Sequence, residues 1–415
     1  MTEEGRGVAG SPAARRAAPV GLLTLLAVAL VSVNLRPGAT SIGPVLAELE
    51  AGIGVSPAVA GVLTALPGLC FGLLGMAAVP LSRRWGLTGT ICLGLGLVVA
   101  GLGLRVLTGS TVPFVVLSAV ALGGMAVGNV LVPAWIKRQP GAGVRLMTIY
   151  STGLTVGGAS GAALSAPVAA AGPGWRGALG VWAGVALTAL VAWLLVARRE
   201  RGSLAPTGRG VATGRLVRSP TAVALTVLFG MQSMNAYVQF GWLPQIYRDA
   251  GLSATSAGLL TGSLTATGIL GGLLMPTVIH RSRTLAPWMV AFGVLAVLGY
   301  AGLLVAPAAL PWLWVALLGL SGWAFPTVIA LLTARSRRPE VTAGLSGFVQ
   351  PVGYLCAAAG PFLVGLLHSW TGDWQLVLVL LALSGVPLAV AGVRASRPVY
   401  VDDELDPPGV RSAAV

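Results

Sequence analysis

The string "SPAVAGVLT" at residues 56–64 returns as "SATSAGLLT" at 253–261, an offset of 197. Two further echoes keep nearly the same distance: "GW" at 174–175 answers "DW" at 373–374, and Pro44 answers Pro244. A chain rich in Ala and Leu can repeat a short apolar string by chance. An offset held at three places and equal to half of the apolar region reads as a duplicated unit. Between the copies lies "RRERGSLAPTGRGVATGRLVRS", residues 198–219. It is basic, Gly-rich and without apolar period, the marks of a solvated linker.

Each copy is built of long apolar runs. The chain has 415 residues, 55% hydrophobic and 9% charged, with a mean hydropathy of +0.86, whereas soluble domains carry roughly a quarter charged residues. A helix needs about 20 apolar residues to cross a bilayer. Six such runs precede the linker, at 19–43, 57–80, 87–107, 112–135, 146–171 and 178–197, and six follow it, at 220–243, 255–279, 286–306, 310–333, 342–367 and 374–393. The expected fold is an all-α polytopic membrane protein of twelve transmembrane helices in two duplicated six-helix bundles. Its parts are a tail at 1–18, a bundle at 19–197, the linker at 198–219, a second bundle at 220–393 and a tail at 394–415. Residues 1–33 are read as tail and first span, not as a cleaved signal peptide, because the polar insert after them runs on into further spans. The 59 glycines suit helices that associate through close backbone approach, and "GLGLVVAGLGL" at 94–104 reads as such a seam.

The net charge of +14 is spread in short clusters between the runs. If both termini lie on one side, that side collects all but four of the 26 basic residues, among them Arg83 and Arg84, Lys137, Arg138 and Arg145, and the group Arg335, Arg337 and Arg338. Retention of basic loops on the cytoplasmic side makes it the inner face, so a multi-pass protein of the cytoplasmic membrane with both termini inside is expected. A nucleic-acid partner would need the charge gathered on one exposed face, and none is expected. Of the four exceptions, Arg105, Arg176 and Arg248 fall at outer span ends, where a long side chain can reach the interface. Arg36 has no such explanation. Cys70, Cys92 and Cys356 sit in apolar runs without CxxC spacing and are expected as buried thiols.

Polar side chains at membrane depth usually face a bundle interior or a water-filled path. Asn34 and Arg36 in span 1 are followed by Pro37, which removes a backbone donor and disfavours helical geometry before it. Arg36 lies about 24 Å along a straight helix from Val20, somewhat past the midplane. Glu48 and Glu50 are about 18 to 21 Å further on, too far for a direct pair, so Arg36 is read as a cavity residue. Gln232, Asn235 and Gln239 in span 7 fall at i, i+3, i+7, one helical stripe that either lines the cavity or joins helices. Tyr237 lies off that stripe. In span 11, Ser346, Gln350 and Tyr354 share a face, with Pro351 permitting a bend. Asn129 in span 4 and Tyr150 in span 5 are weaker candidates.

No Asp or Glu lies inside any run, so the intramembrane carboxylate that commonly drives symport is missing. His280 and His368 sit in or beside loops and read as surface residues. A phosphate loop, metal-ligand spacing and a nucleophile with its base are not found, so neither enzyme activity, a metal nor a cofactor is expected.

The span count, the 6+6 duplication and the basic linker resemble the major facilitator superfamily. More narrowly, "NLRPGATSIGPVLAEL" with "FVQPVGYLCAAAGPFLVGLLHSWTGDW" resembles its cyanate permease and 2-nitroimidazole transporter branch, with an N-L-R-P motif in span 1 and Q-x-x-G-Y in span 11. The resemblance implies two bundles rocking about a central site lined by spans 1, 4, 7 and 10, and motif positions at Asn34, Arg36 and Pro37, then Gln350, Gly353 and Tyr354. The superfamily's loop signature G-x-x-x-D-R-x-G reads "VPLSRRWG" here, with Ser82 in place of the acid, so a gate would rest on Arg83, Arg84 and Gly86. The reading is a secondary transporter of a small anionic or polar solute, bound at Arg36, acting as a monomer. A drug or metabolite exporter is the alternative, and a transporter-fold sensor would need a larger cytoplasmic region than these tails.

Overall fold

The computed structural model describes residues 21–139, 142–200 and 213–405. The tails' Arg6, Arg15, Arg16 and Arg411 and the linker's Arg201 and Arg209 lie outside the described residues. Span 1 is divided into α1 (Leu22–Asn34) and α2 (Pro37–Thr40), then passes through a 3-10 turn at Gly43–Val45 into α3 (Leu46–Ile53). The first half continues with α4 (Pro57–Trp85), α5 (Leu87–Arg105), α6 (Thr111–Ile136), α7 (Gly143–Ala170) and α8 (Gly174–Arg199). After a short α9 (Thr213–Leu216) come α10 (Pro220–Asp249), α11 (Ala254–Arg281) and α12 (Ala286–Val305). Then α13 (Pro311–Ser321) and α14 (Ala324–Ala334) form one interrupted span, α15 (Pro339–Thr371) a continuous one, and α16 (Gln375–Leu383) with α17 (Gly385–Ala395) another, before a final α18 (Val401–Leu405). No strand occurs among the described residues.

The repeated string has a physical reason. Ser56 accepts a hydrogen bond from the Val59 N–H at 3.4 Å, and Ser253 accepts one from Ser256 at 3.1 Å. Each hydroxyl satisfies an N–H that the first turn leaves open, so both strings start the second long helix of their half. Among the described residues, ten spans are long and apolar enough to cross a membrane. The 28-residue α7 and the 30-residue α10 have the length but are less apolar. Both pack on one side against the other half, where polar groups can face protein instead of lipid.

Within the first half, α5 packs on α6 and α1 on α7 and α8; in the second, α10 packs on α15 and α12 on α17. The halves meet along α4 against α15 and α7 against α11. That meeting is uneven along the helices. A Cβ at Gly68 would come within 2.9 Å of the Tyr354 carbonyl, and one at Gly72 within 2.7 Å of Leu355. At Gly75, one turn on, it would meet only Val130 of its own half, and at Gly347 nothing. The halves are therefore closed at the end carrying Glu48, Glu50 and Asp249, the acidic end, and parted at the end carrying the basic clusters.

Three expectations change. Arg105 is buried completely instead of reaching an interface, because its guanidinium is drawn onto the Gly38 carbonyl at 3.4 Å and the Ser118 hydroxyl at 3.5 Å. Arg248 does not reach outward either but bonds Glu48 of the other half at 2.9 Å. Cys70 is buried, but Cys92 is half-buried and Cys356 exposed, since their helix faces look away from the core; all three thiols are free.

Candidate functional site

Pro37 begins α2 and donates no hydrogen bond, so the helix breaks at Leu35 and Arg36, with Arg36 at φ −122°, ψ −36°. The Val33 carbonyl, which an unbroken helix would pair with residue 37, is bared. Gly157 of α7 lies directly on that carbonyl, and Gly161, one turn further, lies against Thr40 and Pro37. A side chain at Gly157 would collide with the Val33 backbone and one at Gly161 with the Thr40 hydroxyl and the Pro37 Cα, so α7 fixes the break by close approach.

From this break the Arg36 side chain reaches the seam between the halves. Its guanidinium carbon lies 5.8 Å from the Phe71 ring centre and 6.0 Å from that of Phe325, within cation–π range. It faces the hydroxyls of Tyr354 and Tyr237, with Tyr150 beyond them. These rings form one connected wall: Tyr354 packs on Phe71 at 5.6 Å, on Phe229 at 4.9 Å and on Tyr237 at 6.1 Å, and Phe229 meets Phe325 at 5.7 Å. The Tyr237 hydroxyl is buried without a hydrogen-bond partner in good geometry. Arg36 is half-buried, and among the described residues no carboxylate pairs with it. An arginine keeps its charge in such a place, so the site is an uncompensated cation inside an aromatic cage, just where the halves begin to part.

The other expected residues divide. Tyr150 donates to the Asn129 amide oxygen at 3.0 Å, joining α7 to α6 beside the cage. Tyr354 is in the cage, and Gln350 lies one turn before it, half-buried and without a protein partner among the described residues. Asn34 points elsewhere, donating to the Trp182 carbonyl of α8 at 3.2 Å. In the span 7 stripe, Asn235 bonds Ser384 at 3.1 Å and Gln239 bonds Tyr300 at 3.0 Å, both inside the second half, while the Gln232 carbonyl oxygen is buried without a partner. Pro351 lies within the unbroken α15. Gly353 lets α15 lie against α10, since a Cβ there would stand 2.6 Å from Phe229. Arg83 and Arg84 are exposed at the parted end, beside Gly86 with its φ of +74°. Among the described residues no group of three His, Cys, Asp or Glu could hold a metal ion.

Sequence reasoning passed over Tyr237, Phe71, Phe229 and Phe325. Tyr237 carried a signal, a hydroxyl at membrane depth among amides, whereas the phenylalanines looked like any apolar residue.

Comparison with known proteins bears on the family and the fold. Residues 24–361 match the family model described as Major Facilitator Superfamily. The chain is 33% identical over 380 residues to the 2-nitroimidazole transporter of Escherichia coli (strain K12), covering 91% of this chain and 96% of that one. It is 32% identical over 374 residues to the cyanate transport protein CynX of the same organism, covering 89% and 96%. Among solved structures it superimposes with TM-score 0.73 at 17% identity on an inward-facing, occupied bacterial homologue of the human lysosomal transporter Spinster, covering 92% of this chain and 98% of that one. A D-xylose–proton symporter gives 0.73 at 13% identity with the same coverages. These structures speak for the fold alone. With the family match, the two close relatives and the broken first span agreeing, this chain belongs to the major facilitator superfamily, in the branch of the nitroimidazole and cyanate transporters.

Proposed function

We propose that this transporter carries a small solute with planar acceptor atoms, a cyanate-like anion or a nitroimidazole-like heterocycle, across the cytoplasmic membrane by alternating access, with Arg36 as its binding charge. The observation that carries the reading is the unpaired, half-buried Arg36 at the closed end of the opening between the halves. Guanidinium presents its donors as a fixed fork, which suits carboxylate and nitro groups, and its permanent charge suits a small anion such as cyanate. The partnerless Tyr237 hydroxyl and the Gln350 amide complete the polar lining. The relatives named for 2-nitroimidazole and cyanate handle solutes of this chemistry. By the positive-inside rule the basic end is cytoplasmic, both termini lie there, and this conformation opens inward. The bundles at 19–197 and 220–393 are the moving bodies, and one duplicated chain forms the whole path as a monomer. Arg83, Arg84 and Gly86 form the inner gate.

A second reading, export of a drug or metabolite, is favoured by the four rings around Arg36, which give a flat heteroaromatic solute more contact than a triatomic anion needs.

Uptake and efflux of labelled cyanate and 2-nitroimidazole in proteoliposomes test the proposal. Arg36→Ala removes a charge-assisted pair and should cut transport of the accepted solute roughly 30- to 100-fold, and Arg36→Lys about tenfold, because the charge stays but the fork is lost. Normal transport by a folded Arg36→Ala protein would exclude Arg36 as the binding group.

A further inference from the structure

Arg105 is a second buried cation without a counterion. It ends α5, is 0% exposed, and among the described residues no carboxylate pairs with it. Its Nη1 reaches the Gly38 carbonyl at 3.4 Å and Ser118 at 3.5 Å, and its guanidinium carbon lies 5.7 Å from the Phe114 ring centre. Nε and Nη2 have no hydrogen-bond partner. Leaving a buried charge so poorly matched is costly, and a Met in its place would fill similar space without that cost. A residue kept against stability points to function.

Its position suggests which function. Gly38 stands two residues after Arg36, at most about 7 Å along the chain. Among the described residues no backbone N–H donates to the Gly38 carbonyl, because α2 ends at Thr40 and the Ile42 N–H does not continue its ladder. Arg105 supplies the missing donor from the side of α5 and α6, away from the cage. The carbonyl dipole is thereby turned from the site, and a positive charge is placed on the order of 10 Å behind Arg36. No acid inside the spans balances either arginine.

Resting on the reading of Arg36 as the binding charge, we propose that Arg105 is a positioning residue that makes the site prefer a small monovalent anion over a neutral solute. It holds the span 1 break and adds a positive field, without touching the solute. A neutral heterocycle gains the stacking and the Arg36 hydrogen bonds but not the field.

The test compares purified wild type, Arg36→Gln, Arg105→Met and Arg105→Lys, by thermal-shift titration with sodium cyanate and with 1-methyl-2-nitroimidazole, which has no N–H to ionise. Arg105→Met is expected to melt no lower than wild type when unliganded. It should bind cyanate roughly tenfold more weakly, the effect of one charge at this separation in a protein-like dielectric, with under twofold change for the neutral solute. Arg105→Lys should restore most of the cyanate affinity, and Arg36→Gln should weaken both ligands. If Arg105→Met weakens both ligands alike, weakens neither, or melts well below wild type while Arg105→Lys does not rescue it, Arg105 is structural and this proposal falls alone. If wild type binds neither ligand, the binding-site reading falls and takes this proposal with it.

Discussion

Side chains of the same span do opposite work depending on which face of the helix they occupy. Asn235 and Gln239 each spend their amides inside the second half, at 3.1 Å from Ser384 and 3.0 Å from Tyr300, while Tyr237 turns its partnerless hydroxyl to the cage. Tyr354→Phe keeps the ring contacts and removes only the hydroxyl facing Arg36. It should raise the KM of the accepted solute roughly 10- to 100-fold, the worth of one hydrogen bond to a charged group, with the melting temperature within about 1 °C. Asn235→Ala should instead lower thermal stability by about 1–2 kcal/mol, having left Ser384 without its partner, and leave KM unchanged. A titration of rate and a melting curve on both variants separate the two roles, and a KM change for Asn235→Ala with an unchanged melt would place Asn235 in the site. Arg36 was legible in the sequence because a charge beside a proline at membrane depth has few bland readings. The facing of Tyr237, Asn235 and Gln239 was not, because a stripe says which residues share a face but not which helix covers it.

Short polar segments at the basic end tie each half to itself. Glu200, just after α8, accepts from Thr88 at 2.8 Å and from the Trp135 indole at 2.9 Å, joining α5, α6 and α8. In the second half α18 plays a matching part. Glu404 accepts from Ser219 and, at 2.9 Å, from Thr221 at the start of α10. Asp402 accepts from the Arg337 N–H at 2.8 Å and from Arg338 at 3.0 and 3.1 Å. Burial works against the Asp402 charge, but these hydrogen bonds outweigh it and hold the carboxyl below its ordinary 3.8. A depressed pKa makes this contribution present above the ordinary value and lost only as pH falls through the depressed one, so the strap should hold unchanged between pH 7 and 5. Asp402→Ala should cost about 1–3 kcal/mol and speed hydrogen exchange of the Arg337 and Arg338 amides at pH 7. Unchanged exchange there would mean α18 is not fastened through Asp402. The acidic run "VDDEL" was visible in the sequence as a charged tail. Its docking was not, because the turn that receives it, residues 335–338, is over 60 positions away in the chain.

For the whole molecule, the repeat and the charge clusters were enough to set twelve helices in two halves, but not which end is shut. Closure depends on backbone contacts made by small residues, and on pairs such as Glu48 with Arg248, separated by 200 positions. That pair is the charged latch of the acidic end: Arg248 also reaches the Pro44 carbonyl at 3.5 Å, and next to it Asp249 accepts from the Trp374 indole at 2.8 Å. Its side chains are 22% and 36% exposed, so the pair is worth about 0.5–1 kcal/mol. Glu48→Gln should then shift the closed-to-open ratio roughly two- to fivefold towards open. Glu50 adds a pH term, for burial first and the Asp249 charge next raise its carboxyl above the ordinary 4.5, with His368 and Arg248 pulling the other way. Opening returns Glu50 to water, so its pKa is higher in the closed form and closure takes up a proton. Closure is therefore favoured as pH falls towards the window above 4.5 and loses that contribution as pH rises through it. Spin labels at Ala51 and Ala254, in a protein whose three cysteines are replaced, read the distance across this end. The short-distance population should grow from pH 7 to 5 in the wild-type background. In Glu50→Gln it should be large at both pH values, and in Glu48→Gln small at pH 7. A wild-type distribution that ignores pH would remove Glu50 from the latch, and a Glu48→Gln distribution matching wild type would leave closure to backbone packing alone.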